Sequence, residues 1–180
     1  NGRTTFRESN NKLLAYYHIH NNAPGGTYSV FSYGDLDGLA KQIVAGKIKT
    51  RGFVAFLSTH HGTNYAMHIK DVTAYKSFFV NRYAKPPAPN ESPAERAGRK
   101  NREISNKTKY KKLIMDYYLG SSSIIEQTST DTEGQLLQFM EFLEQANLGV
   151  EFYESSSTDF SDPVKIEVEN NQIKRTPCDD

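Results

Sequence analysis

The sequence has little cysteine and no long apolar run. Cys178 is the single cysteine among 180 residues, and one thiol cannot close an internal disulfide, so no disulfide framework holds this fold. The longest apolar stretches, such as residues 53–57, are far shorter than the roughly 20 residues that a membrane-spanning helix needs. We therefore expect no membrane span.

An excess of charge of one sign is also missing. The 22 Lys and Arg residues nearly balance the 21 Asp and Glu residues, which leaves a net charge of +1. This balance gives no global attraction for nucleic acid or for an anionic membrane. The 37% hydrophobic content, with eleven Tyr and ten Phe, excludes a disordered chain and predicts an ordered globule. A nucleic-acid or membrane partner would need a local patch of charge, and we do not favour nucleic acid.

Proline marks one candidate boundary. Residues 85–94 contain four of the seven prolines, and proline removes backbone donors and stiffens a segment. We predict a core domain over residues 1–84, a Pro-rich linker over 85–94 and an α+β extension of unassigned role over 95–180. The fold class is α/β (α+β), with a mixed β-sheet flanked by helices.

A predicted strand carries two histidines on one face. Residues 12–20 combine aromatic and aliphatic side chains without helical spacing, which indicates a strand. Side chains at i and i+2 of a strand point to the same side, so His18 and His20 project together. Residues 21–28 are rich in Asn, Gly and Pro and predict a loop beside the histidines.

The clearest helix covers residues 32–46, where apolar residues recur at three- and four-residue spacing. Ser32 is suited to the N-cap, Asp35 places a carboxylate at the helix N-terminus, and Gly46 suits the left-handed position after the last turn. Elsewhere we predict a hairpin of strands 52–59 and 63–70 turning at His60 and His61. The remaining predicted elements are an amphipathic segment 72–83, a helix 132–148 with a Thr130/Glu133 capping box and Gly149 as its stop, and strands 150–153 and 164–173.

Two imidazoles and one carboxylate form a suitable ligand set for zinc, which favours nitrogen and oxygen donors at three protein positions in catalytic sites. His18, His20 and Asp35 are the candidates, because the helix that starts near Asp35 must return to the end of the histidine strand. Each piece also has a simpler explanation. The histidines can be an ordinary strand pair, and Ser32 with Asp35 can be only a capping box.

The segment HIHNNAPGGTYSVFSYGDLDGLA, residues 18–40, as a whole resembles the signature of the JAMM (JAB/MPN) metallopeptidases: His-x-His, a loop, then Ser-x-x-Asp opening a helix. The resemblance covers roughly residues 4–83 and is greatest to JAB-like domains of exported bacterial proteins and polymorphic toxins. Two features depart from the family pattern: the loop between His20 and Ser32 is longer than usual, and Asn21 stands where proline is common.

The resemblance implies a cytidine-deaminase-like JAB/MPN architecture and a zinc-dependent peptidase or isopeptidase that hydrolyses an amide bond in a protein or peptide substrate. It assigns the zinc ligands to His18, His20 and Asp35, and support of the oxyanion to Ser32. The family also uses an upstream glutamate as general acid and base, for which Glu8 is the candidate here. The resemblance further suggests an exported or cell-surface bacterial protein.

Two other functions stay open on the sequence alone. One is a non-catalytic JAB-like module that binds a protein partner through its tyrosine-rich surface. The other is a toxin nuclease that uses His18 and His20 with His60 and His61, and with the basic segment 95–112 as a nucleic-acid groove. The sequence does not specify the substrate, the oligomeric state or the compartment.

Overall fold

A computed structural model describes residues 12–49, 52–80 and 90–178. Over these ranges the chain has an α+β fold with one six-stranded mixed sheet. No helix in these ranges is long and apolar enough to cross a membrane. The strands are β1 (Ala15–His20), β2 (Val54–Thr59), β3 (Asn64–Ile69), β4 (Val150–Ser155), β5 (Val164–Glu169) and β6 (Gln172–Pro177). The helices are α1 (Tyr33–Val44), α2 (Val72–Val80), α3 (Pro93–Ile114), which continues into a π-helical turn (Met115–Leu119), and α4 (Thr132–Ala146).

The strands lie in the sheet in sequence order, from β1 to β6. β1 runs parallel to β2, and every later pair is antiparallel. A parallel pair needs a crossover connection, and α1 supplies it. β3 and β4 pair directly, so strands from both sides of the predicted linker belong to one sheet. The predicted domain boundaries themselves stay a prediction, and residues 81–89 of the linker region lie outside the described ranges.

One face of the sheet packs against the helices. Ala55, Met67, Phe152 and Ile166 are buried on that face and join one continuous hydrophobic core with the helices. Aromatic rings fill much of this core, since Phe139 of α4 lies 5.1 Å from Phe152 of β4 between ring centroids. Close packing here fixes the position of the sheet relative to α1 and α4.

Over the described residues between 12 and 80, the helices and strands agree with the sequence prediction. Ser32 is the N-cap of α1 and forms a capping box with Asp35. Gly46 follows the helix with φ of +69°, a conformation that favours glycine. β2 and β3 form the predicted hairpin around His60 and His61. The periodic patterns were sufficient here because each element is determined by local spacing and capping.

The predicted ends of α4 were wrong in detail. Its N-cap is Asp131, whose carboxylate accepts from the backbone N–H of Gly134 at 2.9 Å. The helix ends at Ala146, and its C-cap, Asn147, has the left-handed conformation with φ of +50°. The Thr130/Glu133 capping box is therefore not formed, and Gly149 comes two residues after the C-cap. Aspartate and asparagine fill these positions because both tolerate cap and left-handed backbone geometry.

The predicted single strand over residues 164–173 was also wrong. It is a hairpin, in which β5 and β6 are joined by Asn170 and Asn171. Both residues have positive φ, +52° and +62°, as a two-residue turn compatible with strand twist requires. Apolar and charged residues alternate right up to this turn. The alternation therefore predicts one continuous strand and gives no sign of the turn.

Candidate metal centre

β1 positions the two histidines at the edge of the sheet. Its parallel pairing with β2 sets His18 opposite Leu57 and His20 opposite Thr59. The two imidazoles lie on the same side of the strand, as its alternation requires, with ring centroids 4.9 Å apart and planes at 86°. Their edge-to-face arrangement lets both Nε2 atoms face the start of α1.

The first turn of α1 positions the carboxylate of Asp35. Its Oδ2 accepts from the backbone N–H of Ser32 at 2.8 Å and from the Ser32 hydroxyl at 2.7 Å. Ser32 Oγ in turn accepts from the backbone N–H of Asp35 at 3.2 Å. This reciprocal capping box fixes the carboxylate at a helix N-terminus, where negative charge is stabilised.

Asp35 faces both histidines. Its Oδ1 lies 3.4 Å from Nε2 of His18, and its Oδ2 lies 3.1 Å from Nε2 of His20. One ligand atom from each of the three residues lies within 4.8 Å of the other two. We call these three residues the histidine–aspartate cluster.

Each histidine has a second contact through its other ring nitrogen. Nδ1 of His20 lies 2.7 Å from the backbone carbonyl oxygen of Tyr28. A carbonyl only accepts, so Nδ1 of His20 carries a proton and donates it. In the neutral imidazole the lone pair is then on Nε2, which is the atom that faces Asp35. Nδ1 of His18 lies 2.9 Å from the hydroxyl of Tyr16.

The cluster is largely removed from solvent. The side chains of His20 and Asp35 are 8% and 9% exposed, and that of His18 is 18% exposed. Burial lowers the pKa of His18, although the charge of Asp35 opposes this. Burial alone raises the pKa of Asp35, but the hydrogen bond with His20, the two imidazoles and the Ser32 hydroxyl together hold it below its ordinary value. Burial thus favours the neutral form of the His18 imidazole, and the neighbours of Asp35 favour its carboxylate form.

The donor set fits a zinc ion. Zinc bonds of about 2.0–2.1 Å in a tetrahedral site separate neighbouring ligand atoms by about 3.3 Å, close to the 3.1 and 3.4 Å between Asp35 and the histidines. Neutral imidazole nitrogens and a carboxylate are also the forms that bind a metal.

The other predicted site residues are placed differently. Ser32 directs its hydroxyl to Asp35, so its observed contacts are those of a cap. Glu8 lies outside the described residues. His60 and His61 are turn residues, as predicted, and both contact Thr27 of the loop after β1, at 2.9 Å to its Oγ1 and 3.2 Å to its carbonyl oxygen.

Sequence reasoning missed the two residues that contact the histidines from outside. Tyr16 is two residues before His18, so strand alternation alone places it on the same face. No sequence pattern pointed to Tyr28. Its backbone carbonyl reaches His20 because of the conformation of the loop after β1, and residue spacing does not predict that conformation.

Comparisons with known proteins give no match: no protein-family model, no curated protein and no solved structure is similar to this chain. The α+β fold and the three-residue cluster are therefore described from this structure, while the JAMM resemblance depends on the residues of the motif.

Proposed function

We propose that this protein is a zinc-dependent peptidase or isopeptidase of the JAMM type, with a JAB/MPN architecture over its β1–α1–β2–β3 part. The observation that supports it is the convergence of His18, His20 and Asp35. Two imidazole nitrogens with outer hydrogen-bond partners face one buried carboxylate. A zinc ion held by them supplies Lewis-acid polarisation of an amide carbonyl and activation of water.

The protein's own residues then have separate tasks in this proposal. The carbonyl of Tyr28 keeps the proton of His20 on Nδ1, and the cap formed by Ser32 keeps the carboxylate of Asp35 oriented. Amide hydrolysis also needs a group that moves a proton between water and the leaving nitrogen. The JAMM resemblance assigns this task to Glu8, and assigns support of the oxyanion to Ser32.

A non-catalytic, JAB-like protein-binding module is the second candidate, and one observation favours it. Among the described residues, no further Asp, Glu, His or Cys joins the histidine–aspartate cluster. In this proposal hydrolysis relies on Glu8, to which the resemblance assigns proton transfer, whereas metal binding does not.

Zinc content is the first test of the proposal. Purified wild-type protein should contain about one equivalent of zinc by elemental mass spectrometry, and the double variant His18→Ala/His20→Ala should contain none. The matched control is His60→Ala/His61→Ala, which removes two histidines from the nearby turn and should retain the ion. Equal zinc in the wild type and the His18/His20 variant would contradict the metal site.

Hydrolysis then separates the two candidates. Zinc-loaded protein should cleave amide bonds in an unfolded protein or in an isopeptide-linked peptide pair, followed by mass spectrometry. Glu8→Gln should abolish cleavage and keep the zinc. A zinc-loaded wild type that cleaves neither substrate would favour the binding module.

A further inference from the structure

Tyr16 and His18 are neighbours on one face of β1. The hydroxyl oxygen of Tyr16 lies 2.9 Å from Nδ1 of His18. The two rings are nearly parallel, with centroids 5.9 Å apart and planes at 16°. The contact joins residues i and i+2 of a single strand, so it is set by the strand itself and needs no distant element.

The contact at Nδ1 affects which nitrogen of His18 is available to bind a metal. A histidine that binds a metal through Nε2 carries its remaining proton on Nδ1, and an acceptor at Nδ1 fixes both the tautomer and the ring orientation. A phenol oxygen can accept such a hydrogen bond. For His20 the corresponding acceptor is the carbonyl of Tyr28. Each of the two histidines thus has an oxygen at Nδ1 and a carboxylate oxygen of Asp35 at Nε2.

We propose that Tyr16 is a positioning residue for the metal site: its hydroxyl holds His18 in the orientation that presents Nε2 beside Asp35. The inference depends on the proposed zinc site and extends it to a residue that the motif does not include. In this role Tyr16 acts through His18, whose Nδ1 its hydroxyl contacts.

Packing does not replace the hydroxyl in this role. Tyr16 is half-buried at the margin of the core, and its ring, which Phe would keep, stacks beside His18. Removing only the oxygen therefore separates positioning from packing. The next residue offers a matched control, because Tyr17 is on the opposite face of the same strand and donates its hydroxyl to Ser58 at 2.7 Å.

The test compares Tyr16→Phe with Tyr17→Phe in the full chain. Loss of an outer partner weakens metal binding by about 10–100-fold in comparable sites, so we expect that loss of zinc affinity in Tyr16→Phe, measured by competition with a chromophoric chelator. Substitution of cobalt(II) for zinc gives a second readout, since the visible d–d bands should shift in Tyr16→Phe. Tyr17→Phe should match the wild type in both measurements.

The possible outcomes are distinct. Zinc affinity and cobalt bands that are unchanged in Tyr16→Phe, with a metal-binding wild type, would overturn the role of Tyr16 and leave the metal site intact. A wild type that binds neither zinc nor cobalt would overturn the metal site and this inference together. Weaker zinc binding by Tyr16→Phe, together with no amide hydrolysis by the wild type, would support the positioning role of Tyr16 and contradict the proposed peptidase activity.

Discussion

Two charged clusters in this protein connect a helix N-terminus to the sheet, and they are built in opposite ways. The histidine–aspartate cluster joins α1 to β1. The second, which we call the arginine cluster, joins α4 to β4 and β6 through Arg175, Glu133 and Glu154. Arg175 donates from Nη1 and Nη2 to Glu133 at 2.8 and 2.7 Å, and from Nε to Glu154 at 2.6 Å.

The difference lies in the balance of donors and acceptors. In the arginine cluster each carboxylate receives a proton donor from a permanently charged group, and the hydrogen bond from Arg175 lowers the pKa of Glu133. The histidine–aspartate cluster has no permanent cation, because Asp35 faces two ionisable imidazoles, with Nε2 of His20 at 3.1 Å and Nε2 of His18 at 3.4 Å. The arginine cluster is complete as an ion pair, whereas the histidine–aspartate cluster takes its positive charge from a proton or, in the proposed function, from a metal ion.

The largest effect should come from Asp35→Asn, which preserves the shape of the side chain and removes its charge. The amide oxygen can still accept from Ser32, and the amide nitrogen can donate to a histidine nitrogen. We expect zinc affinity to fall by at least about 100-fold, since loss of an outer partner alone weakens metal binding by about 10–100-fold. Because the pKa of Asp35 lies below its ordinary value, its charge stabilises the folded protein near neutral pH, and the free energy of unfolding of the metal-free protein should fall modestly. Chelator competition and chemical denaturation measure the two quantities. A large loss of stability without loss of zinc affinity would make the cluster structural, like the arginine cluster.

A smaller effect should come from Ser32→Ala. Loss of an N-cap side chain costs about 1 kcal/mol, and because Ser32 also orients Asp35, zinc affinity should fall by roughly tenfold. Ser92, which forms the same capping box with Glu95 at the start of α3, provides the control. Ser92→Ala should leave zinc affinity unchanged. Equal zinc affinities in the wild type, Ser32→Ala and Ser92→Ala would show that Ser32 acts only as a helix cap.

The smallest effect should come from Arg175→Met, which removes the cation of the arginine cluster. Because Glu133 is largely exposed and solvent screens it, we expect a loss of about 1 kcal/mol in the free energy of unfolding at pH 7, with zinc affinity unchanged.

The pH dependence of that loss has a definite sign. The pKa of Glu133 in the folded protein is below its ordinary value of about 4.5, so its stabilising contribution is present above pH 4.5 and is lost as the pH falls through the folded-state pKa. The difference between wild type and Arg175→Met should therefore shrink on acidification below pH 4.5, and also in high salt. Denaturant titrations at several pH values measure it, and a difference that grows in acid would contradict the ion-pair explanation.

The contrast between the clusters also shows how far the sequence predicts this structure. His18 and His20 share a face because of strand alternation, and Ser32 and Asp35 cap α1 because of helix-end chemistry. Both rules act over a few residues, so the sequence predicted these placements. Whether these residues bind zinc stays a prediction.

Contacts between distant residues were beyond the same rules. Glu133 was predicted to close a capping box at the start of α4, and instead it binds Arg175, 42 residues later in the chain. Arg175 reaches Glu133 because β5 and β6 form a hairpin that turns at Asn170 and Asn171. The alternating pattern did not predict this hairpin. The sequence therefore predicted the local geometry of one cluster and missed the other entirely.

The capping box of Ser32 and Asp35 links two events that are usually separate. The oxygen that terminates the hydrogen-bond pattern of α1 belongs to the same carboxylate that faces both histidines. Fraying of the first turn of α1 would withdraw that carboxylate, and helix ends open far more often than whole domains unfold. In the proposed metal site, such fraying would let an ion leave while the sheet and core remain folded.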